Sequence, residues 1–347
     1  MSKKKKSGFI VSLVVLAVLV FGGMYVYEKF FKGVKLKDKN YTYVYIERGD
    51  TFEDVISDIN SENIIENLKA FVWLAKEMDL ENNIHPGKYR IINGMTMRQI
   101  INLIKYNKQE KIKLTYNSQI HDLEEFVEYT DEKLELSDSE LEDVLSDEKK
   151  LNEWFNLDPD NCFGLLVPGT YEVSWAISSD ELFQMLRDRY NKLWNSARVT
   201  QAKKLGFKVS EIITIASIVQ SESAIENEQE KIAGVYINRL KKDMRLEADP
   251  TLKFANKNFG VKRVYNVDKE INSPYNTYRY KGLPPGPICL VTQQAIDATL
   301  NYSKHNFIFF CAKPQLNGFS DFSATYEQHK KYANAYQKTM NKKGVAR

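Results

Sequence analysis

With 347 residues, 43% of them hydrophobic, the chain has length for two domains and enough apolar material for real cores. Its 49 basic and 46 acidic residues nearly cancel, and setting aside Lys3–Lys6 leaves 45 against 46. A neutral body lacks the clustered positive charge that nucleic-acid binding needs, so no nucleic-acid partner is expected. The four histidines (His85, His121, His305, His329) are scattered without metal-ligand spacing, so neither a metal nor a cofactor is expected.

Taken in chain order, the first legible element is Gly8 to Tyr27, 20 residues without a charge, bounded by Lys3–Lys6 and by Glu28-Lys29. As a helix it would span ~30 Å, the thickness of a bilayer's hydrocarbon core. The lysines before it predict a cytoplasmic tail (residues 1–7), a single transmembrane helix (8–27) and a body outside the cytoplasm. Tyr25 and Tyr27 fall where interfacial aromatics are expected. A cleaved signal peptide is the competing reading, with Gly22-Gly23 near a possible cleavage point. The apolar run, however, exceeds the usual h-region and lacks an A-x-A-like site.

Tyr43–Glu47 reads as a strand closed by the turn pair Gly49-Asp50. Thr51 can cap a helix whose apolar residues Phe52, Val55, Ile56 and Ile59 share one face. A second helix fits Leu68, Phe71, Val72 and Ala75. His85-Pro86-Gly87 then turns the chain into a strand at Lys88–Ile92, followed by a helix that Thr96 and Gln99 can box. This βααβ segment, within residues 40–110, resembles a LysM module through Gly49-Asp50-Thr51 and the apolar helix after it. The resemblance implies a glycan-holding role, and a spacer without sugar affinity is an equally open reading.

From Leu114 to Trp154 the chain is acidic and helical in period, with a helix start at Ser137–Glu140. Gly164–Glu172 reads as an apolar strand broken by Pro168-Gly169. Ser178 begins a helix through Trp194, with Leu182, Met185, Leu186 and Leu193 facing inward. Cys162, Cys289 and Cys311 are too widely spaced for a C-x-x-C site and read as small buried residues.

Ser210 can cap a helix through Ile212–Val219 that is apolar on every side and should therefore be buried all round. Its end carries Gln220-Ser221-Glu222-Ser223, and from Ile212 to Ile225 the sole ionisable side chain is Glu222. Desolvation disfavours a charged carboxylate, so the pKa of Glu222 should rise. A carboxylic acid that keeps its proton near neutral pH can protonate a leaving oxygen, which is what glycosidic cleavage needs. A glutamate reaching solvent from the helix end, or pairing with an arginine, is the plainer reading of the spacing alone. Downstream, five of the chain's nine prolines lie between Pro250 and Pro287. Rigid loops that present Tyr, Asn and Thr suit a sugar groove, and they suit loop structure equally well.

With Ala216-Ser217-Ile218-Val219, Glu222, Asn238-Arg239-Leu240, Met244, Leu246, Asp249-Pro250-Thr251, Ser273–Tyr278 and Gly282–Gly286 in that order, the chain resembles the endolytic murein transglycosylase (MltG/YceG-like) family. The resemblance implies an α+β fold in which residues 111–347 form a catalytic domain distantly similar to lysozyme-like transglycosylases. It places the catalytic acid and base on Glu222, and Glu222-Ser223 echoes the Glu-Ser pair of those enzymes. Tyr275, Asn276, Thr277 and Ser223 are the candidates for holding substrate. Asp249 is assigned either to loop structure or to stabilising a cationic transition state. Many family members carry a glutamate where Gln220 stands and Pro-Asp where this chain has Pro168-Gly169.

The activity implied is lytic cleavage of the MurNAc-GlcNAc bond, with 1,6-anhydro-MurNAc ends, limiting or terminating nascent glycan strands. A water-using muramidase and a non-catalytic glycan-binding membrane scaffold are the rivals. Peptidoglycan glycan strands are the expected substrate, at a bacterial inner membrane with the catalytic domain on the periplasmic side. Membrane-bound peptidoglycan synthases are the implied neighbours.

Overall fold

A computed structural model describes residues 13–24, 27, 32–37, 39–117, 119–260 and 266–342. Residues 13–24 are helical, and large apolar side chains such as Leu16, Leu19 and Phe21 are exposed there. Among the described residues no helix is long and apolar enough to cross a membrane. The expected span, Gly8–Tyr27, lies partly outside the described residues. The chain is a mixed α+β protein whose contacts divide it into two compact units.

The first unit takes residues up to 113 together with 133–135 and 172–177. In chain order it holds β1 (Tyr41–Ile46), α1 (Phe52–Ser61), α2 (Leu68–Glu77), β2 (Gly87–Ile92) and α3 (Met97–Lys105). Strands β1 and β2 pair antiparallel, with Val44 opposite Tyr89 and Ile46 opposite Gly87. Alternation along β1 and β2 sends Val44, Ile46, Tyr89 and Ile91 inward against Val55, Ile59, Phe71, Ile100 and Ile104. Helix starts are fixed locally by reciprocal capping boxes, Thr51 with Asp54 and Thr96 with Gln99.

Strand β3 (Ile112–Tyr116) pairs with β4 (Gly169–Val173), a strand 53 residues further on. Between them run α4 (Leu123–Lys133), α5 (Asp138–Ser146), α6 (Glu148–Phe155) and a 3-10 turn at Cys162–Leu165. Two expectations are corrected here. The segment from Leu114 opens with a strand before its helices begin. The apolar stretch from Gly164 is a 3-10 turn and a loop, and only from Gly169 is it a strand. Gly169 has φ of 142°, and a Cβ there would collide with the Arg189 guanidinium, which donates to Pro168 O at 3.0 Å. An aspartate at this position would be strained by that φ and would have to displace the guanidinium.

The second unit continues with α7 (Ser179–Leu193), α8 (Ser196–Leu205), α9 (Val209–Glu222), α10 (Glu226–Lys241) and α11 (Asp249–Ala255). After a 3-10 turn at Asn266–Glu270 come α12 (Gln293–Leu300), β5 (Phe309–Ala312), β6 (Ser320–Ser323) and α13 (Tyr326–Lys342). Helix α9 is the centre of this unit. All eight residues from Ile212 to Val219 are buried, and the helix packs against α8, α10, α11 and α12. Burying each large aliphatic side chain of this helix stabilises the fold by about 1.5–3 kcal/mol. It begins one residue before the expected cap Ser210, and the Glu211 carboxylate accepts the Lys208 backbone N–H.

The one hydroxyl at the buried centre of α9 that reaches another element is Ser217. It donates to Thr214 O and accepts Ile288 N–H at 3.1 Å, tying the proline-rich loop to the helix. Gln220 does the same at the next turn, donating to Leu290 O and accepting from Thr292. Cys162, Cys289 and Cys311 are free thiols.

Candidate active site

Glu222 is the last residue of α9, and the chain leaves the helix at once: Ser223 is extended, with φ of −151°. The glutamate therefore projects from the end of a buried rod into a cavity of about 310 Å³ within the second unit. Its Oε1 accepts a hydrogen bond from the Tyr236 hydroxyl of α10 at 2.7 Å. Enclosure by protein raises the Glu222 pKa from 4.5 to about 7, and the negative charge of Asp249 pushes the same way. The Tyr236 hydrogen bond and the charge of Lys253 oppose the rise without cancelling it. The shift is in the direction expected from the sequence, toward a carboxyl that holds its proton, and no arginine is paired with this group among the described contacts.

Asp249 lines the same cavity from the first turn of α11. Its Oδ1 accepts from the Tyr278 hydroxyl at 2.6 Å, and Tyr278 is itself part of the cavity wall. Burial, then the hydrogen bond to Asp249, raises the Tyr278 pKa far above its usual value, so the phenol stays a donor. Glu222 and Asp249 are thus each held by a tyrosine, and Glu247 is a third carboxyl group in the cavity wall.

The cavity's buried cation is already engaged. Arg239 donates through Nη1 to Arg245 O, Leu246 O and Glu247 Oε2, and through Nε to Ile308 O. Its side chain is 9% exposed. Glu247 sits at φ of 51°, unusual for a glutamate, and its backbone N–H donates to Thr277 O. Arg239 and Thr277 together fix the turn that delivers Asp249.

The other sequence candidates fall elsewhere. Asn276 is fully buried; its amide donates to Lys269 O and Ile271 O and accepts from the N–H groups of Tyr278 and Arg279. Every polar atom of that side chain is committed to backbone, so Asn276 staples the loop and has nothing left for a sugar. Thr277 is likewise buried, accepting from Ala248 N–H and sharing a hydrogen bond with Thr251. Both were expected to hold substrate; the structure places them in the wall behind Asp249 and Tyr278. Tyr275 packs on Phe254 at 4.6 Å between ring centroids, outside the cavity lining. Ser223 accepts from Ile225 N–H at the helix end and is also outside it. Of the five secondary candidates only Asp249 shares the cavity with Glu222.

Sequence reasoning missed Tyr236, Glu247, Phe309, Tyr326 and His329, all of which line the cavity. Tyr236 carried a faint signal, a hydroxyl on the otherwise apolar stripe Ala233-Tyr236-Ile237. The last three come from the distant β5 and α13, where no local pattern points to Glu222.

A helical core ending in a half-buried acid that opens onto a polar cavity defines a class of enzyme that moves protons at a bound substrate. The matching family model, the YceG-like family, spans residues 44–335, and the chain belongs to that family. An endolytic murein transglycosylase of Bacillus subtilis (strain 168) is 27% identical over 343 residues, covering 94% of this chain and 93% of that protein. One of Streptococcus pneumoniae serotype 2 (strain D39 / NCTC 7466) is 31% identical over 153 residues, 43% of this chain and 28% of that protein. A YceG-like protein of Listeria monocytogenes, known from a 2.6 Å crystal structure, shares the fold with a TM-score of 0.54. That likeness covers 85% of this chain and 99% of the listerial one at 24% identity.

Proposed function

We propose that the protein is an endolytic peptidoglycan lytic transglycosylase and that Glu222 is its acid and base. The observation that carries the assignment is a carboxyl group with a pKa of about 7, facing a cavity and bonded to a neutral phenol rather than to a cation. Family membership and the relatives named above support the substrate, a glycan strand of alternating N-acetylated sugars.

In the first step Glu222 gives its proton to the glycosidic oxygen between MurNAc C1 and GlcNAc O4. The C1–O bond breaks, GlcNAc leaves as the alcohol, and positive charge develops at C1. Glu222, now a carboxylate, takes the proton from the C6 hydroxyl of the same MurNAc. The C6 oxygen bonds to C1 and closes a 1,6-anhydro ring, so no water is consumed. An intramolecular nucleophile needs positioning more than activation. Asp249 supplies negative charge to the cavity in which the cation forms, and Tyr278 holds that carboxylate in place.

Asp249 also favours a second reading, a muramidase in which it activates water, since two-carboxylate glycosidases need a second acid beside the first. Product masses separate the two: anhydro ends lack the elements of one water molecule that reducing ends contain. Glu222→Gln should retain the fold and lose cleavage, and substantial residual cleavage by purified Glu222→Gln would overturn the assignment.

The same reading takes Gly8–Tyr27 as an anchor in the cytoplasmic membrane, with the catalytic unit outside. The uncharged run and the exposed apolar side chains of residues 13–24 support it, because such surface is costly in water. Release of the full chain from membranes by salt or carbonate washing would sink the anchor. The βααβ unit, taken as LysM-like, would hold the strand. The anchor would also keep the site close to membrane-bound synthases making new strands.

A further inference from the structure

The chemistry above uses nothing from α13, yet that helix contributes Tyr326 and His329 to the cavity that holds Glu222. His329 is the odder of the two. Its Nδ1 is sealed from solvent and has no hydrogen-bond partner. The ring is held flat against Phe309, with centroids 5.2 Å apart and planes 21° apart, and Tyr326 lies beside it at 6.3 Å. Burial and the nearby charge of Arg239 keep the His329 pKa below its usual 6.5. At neutral pH the ring is therefore uncharged and carries one proton.

Which nitrogen carries it follows from the orphaned Nδ1. A buried N–H without an acceptor is rarer and less tolerable than an unshared lone pair, so the proton belongs on Nε2. Among the described residues Nε2 has no protein partner either. The Nδ1 lone pair is sealed behind the ring, whereas Nε2–H is not sealed and meets no acceptor among the described residues. In a cavity wall and clamped by an aromatic stack, that N–H is the group left to a ligand.

We propose that His329 is a substrate-binding residue, its Nε2–H donating to an amide carbonyl of the N-acetylated sugar lodged beside Glu222. An N-acetyl or lactyl-amide carbonyl fits this donor, because both are neutral acceptors of the kind a neutral imidazole reads. The inference rests on the transglycosylase reading of the cavity and extends it to the C-terminal helix.

The test is His329→Phe in the full chain. It keeps the stack on Phe309 and removes both nitrogens. The melting temperature should hold or rise, while kcat/KM on purified glycan strands falls about tenfold or more, mainly through KM. His329→Gln, which restores a side-chain N–H, should recover part of the loss. Binding of undigested glycan strands to Glu222→Gln protein should weaken about tenfold when His329→Phe is added. A folded His329→Phe protein with wild-type kcat/KM and affinity overturns the proposal. If that variant melts early, His329→Gln is read alone: affinity within a few-fold of wild type supports the donor, and loss of affinity in folded protein overturns it. Cleavage surviving in Glu222→Gln would instead refute the acid assignment, and the His329 comparison would still be readable in kcat/KM.

Discussion

Replacing Glu222 by glutamine should make the protein more stable, and increasingly so as pH rises. The carboxyl has a pKa of about 7 in the folded chain against an ordinary 4.5. Below pH 4.5 it is protonated in both the folded and unfolded states, and the fold bears no charge cost. Between 4.5 and 7 the unfolded chain releases the proton while the folded chain keeps it, so stability falls as pH rises. Above 7 both states are charged and the folded state carries the whole penalty, at most about 3 kcal/mol at 1.36 kcal/mol per pH unit. Glutamine has no proton to lose, and its carbonyl can still accept from Tyr236. Unfolding of the wild-type protein and Glu222→Gln in urea at pH 4.5, 6 and 8.5 measures the difference. The two should nearly coincide at the lowest pH and separate by about 2–3 kcal/mol at the highest. A separation that does not change with pH would mean that Glu222 titrates normally, and the argument for a protonated acid would go with it.

Activity should follow the same titration, since protonated Glu222 starts the reaction: the rate should fall as pH rises through about 7. Tyr236→Phe removes the one hydrogen bond that favours the charged carboxylate, so the alkaline limb should move upward, by about one pH unit for a bond to a charged group worth about 1.5 kcal/mol. A pH–rate profile unmoved by Tyr236→Phe would contradict that role. Asn276→Ala strips partners from four backbone groups, two carbonyls and two N–H groups. It should destabilise the protein by about 2 kcal/mol or more. Calorimetry should register that loss, and a KM effect without a stability effect would restore Asn276 as a sugar contact.

What the sequence made legible was local. Thr51, Thr96, Ser137 and Ser178 announce their helices because each cap bonds within three residues. Glu222 was legible because a lone carboxyl at the end of an eight-residue buried run conflicts with its surroundings, and such conflicts concentrate at functional sites. Strand β3 was hidden because its partner β4 is 53 residues away, and five residues of alternation look much like the start of an amphipathic helix. The buried, backbone-bonded setting of Asn276 and Thr277 was not legible for a different reason. An amide or hydroxyl in a proline-rich loop has the same side chain whether it reads a sugar or staples the backbone, and only burial separates the two uses. Phe309, Tyr326 and His329 converge on Glu222 from about a hundred residues downstream, with no periodicity connecting them to it.

The site's balance depends on where its positive charge is spent. Arg239 stands in the same cavity as Glu222, and a free guanidinium there would draw the Glu222 proton off and leave no acid at neutral pH. Glu247 counters this charge by accepting from Nη1 of Arg239 at 3.0 Å, while backbone carbonyls of Arg245 and Leu246 share Nη1 and that of Ile308 takes Nε. Glu247→Gln keeps a hydrogen-bonding oxygen for Arg239 but removes the compensating charge. The field at Glu222 becomes more positive, so its pKa should drop and the alkaline limb of the pH–rate profile should move to lower pH. That is the direction opposite to Tyr236→Phe, and each variant therefore controls for a trivial effect of the other. A limb that moves upward, or does not move, in folded Glu247→Gln protein would show that the two charges do not communicate across the cavity.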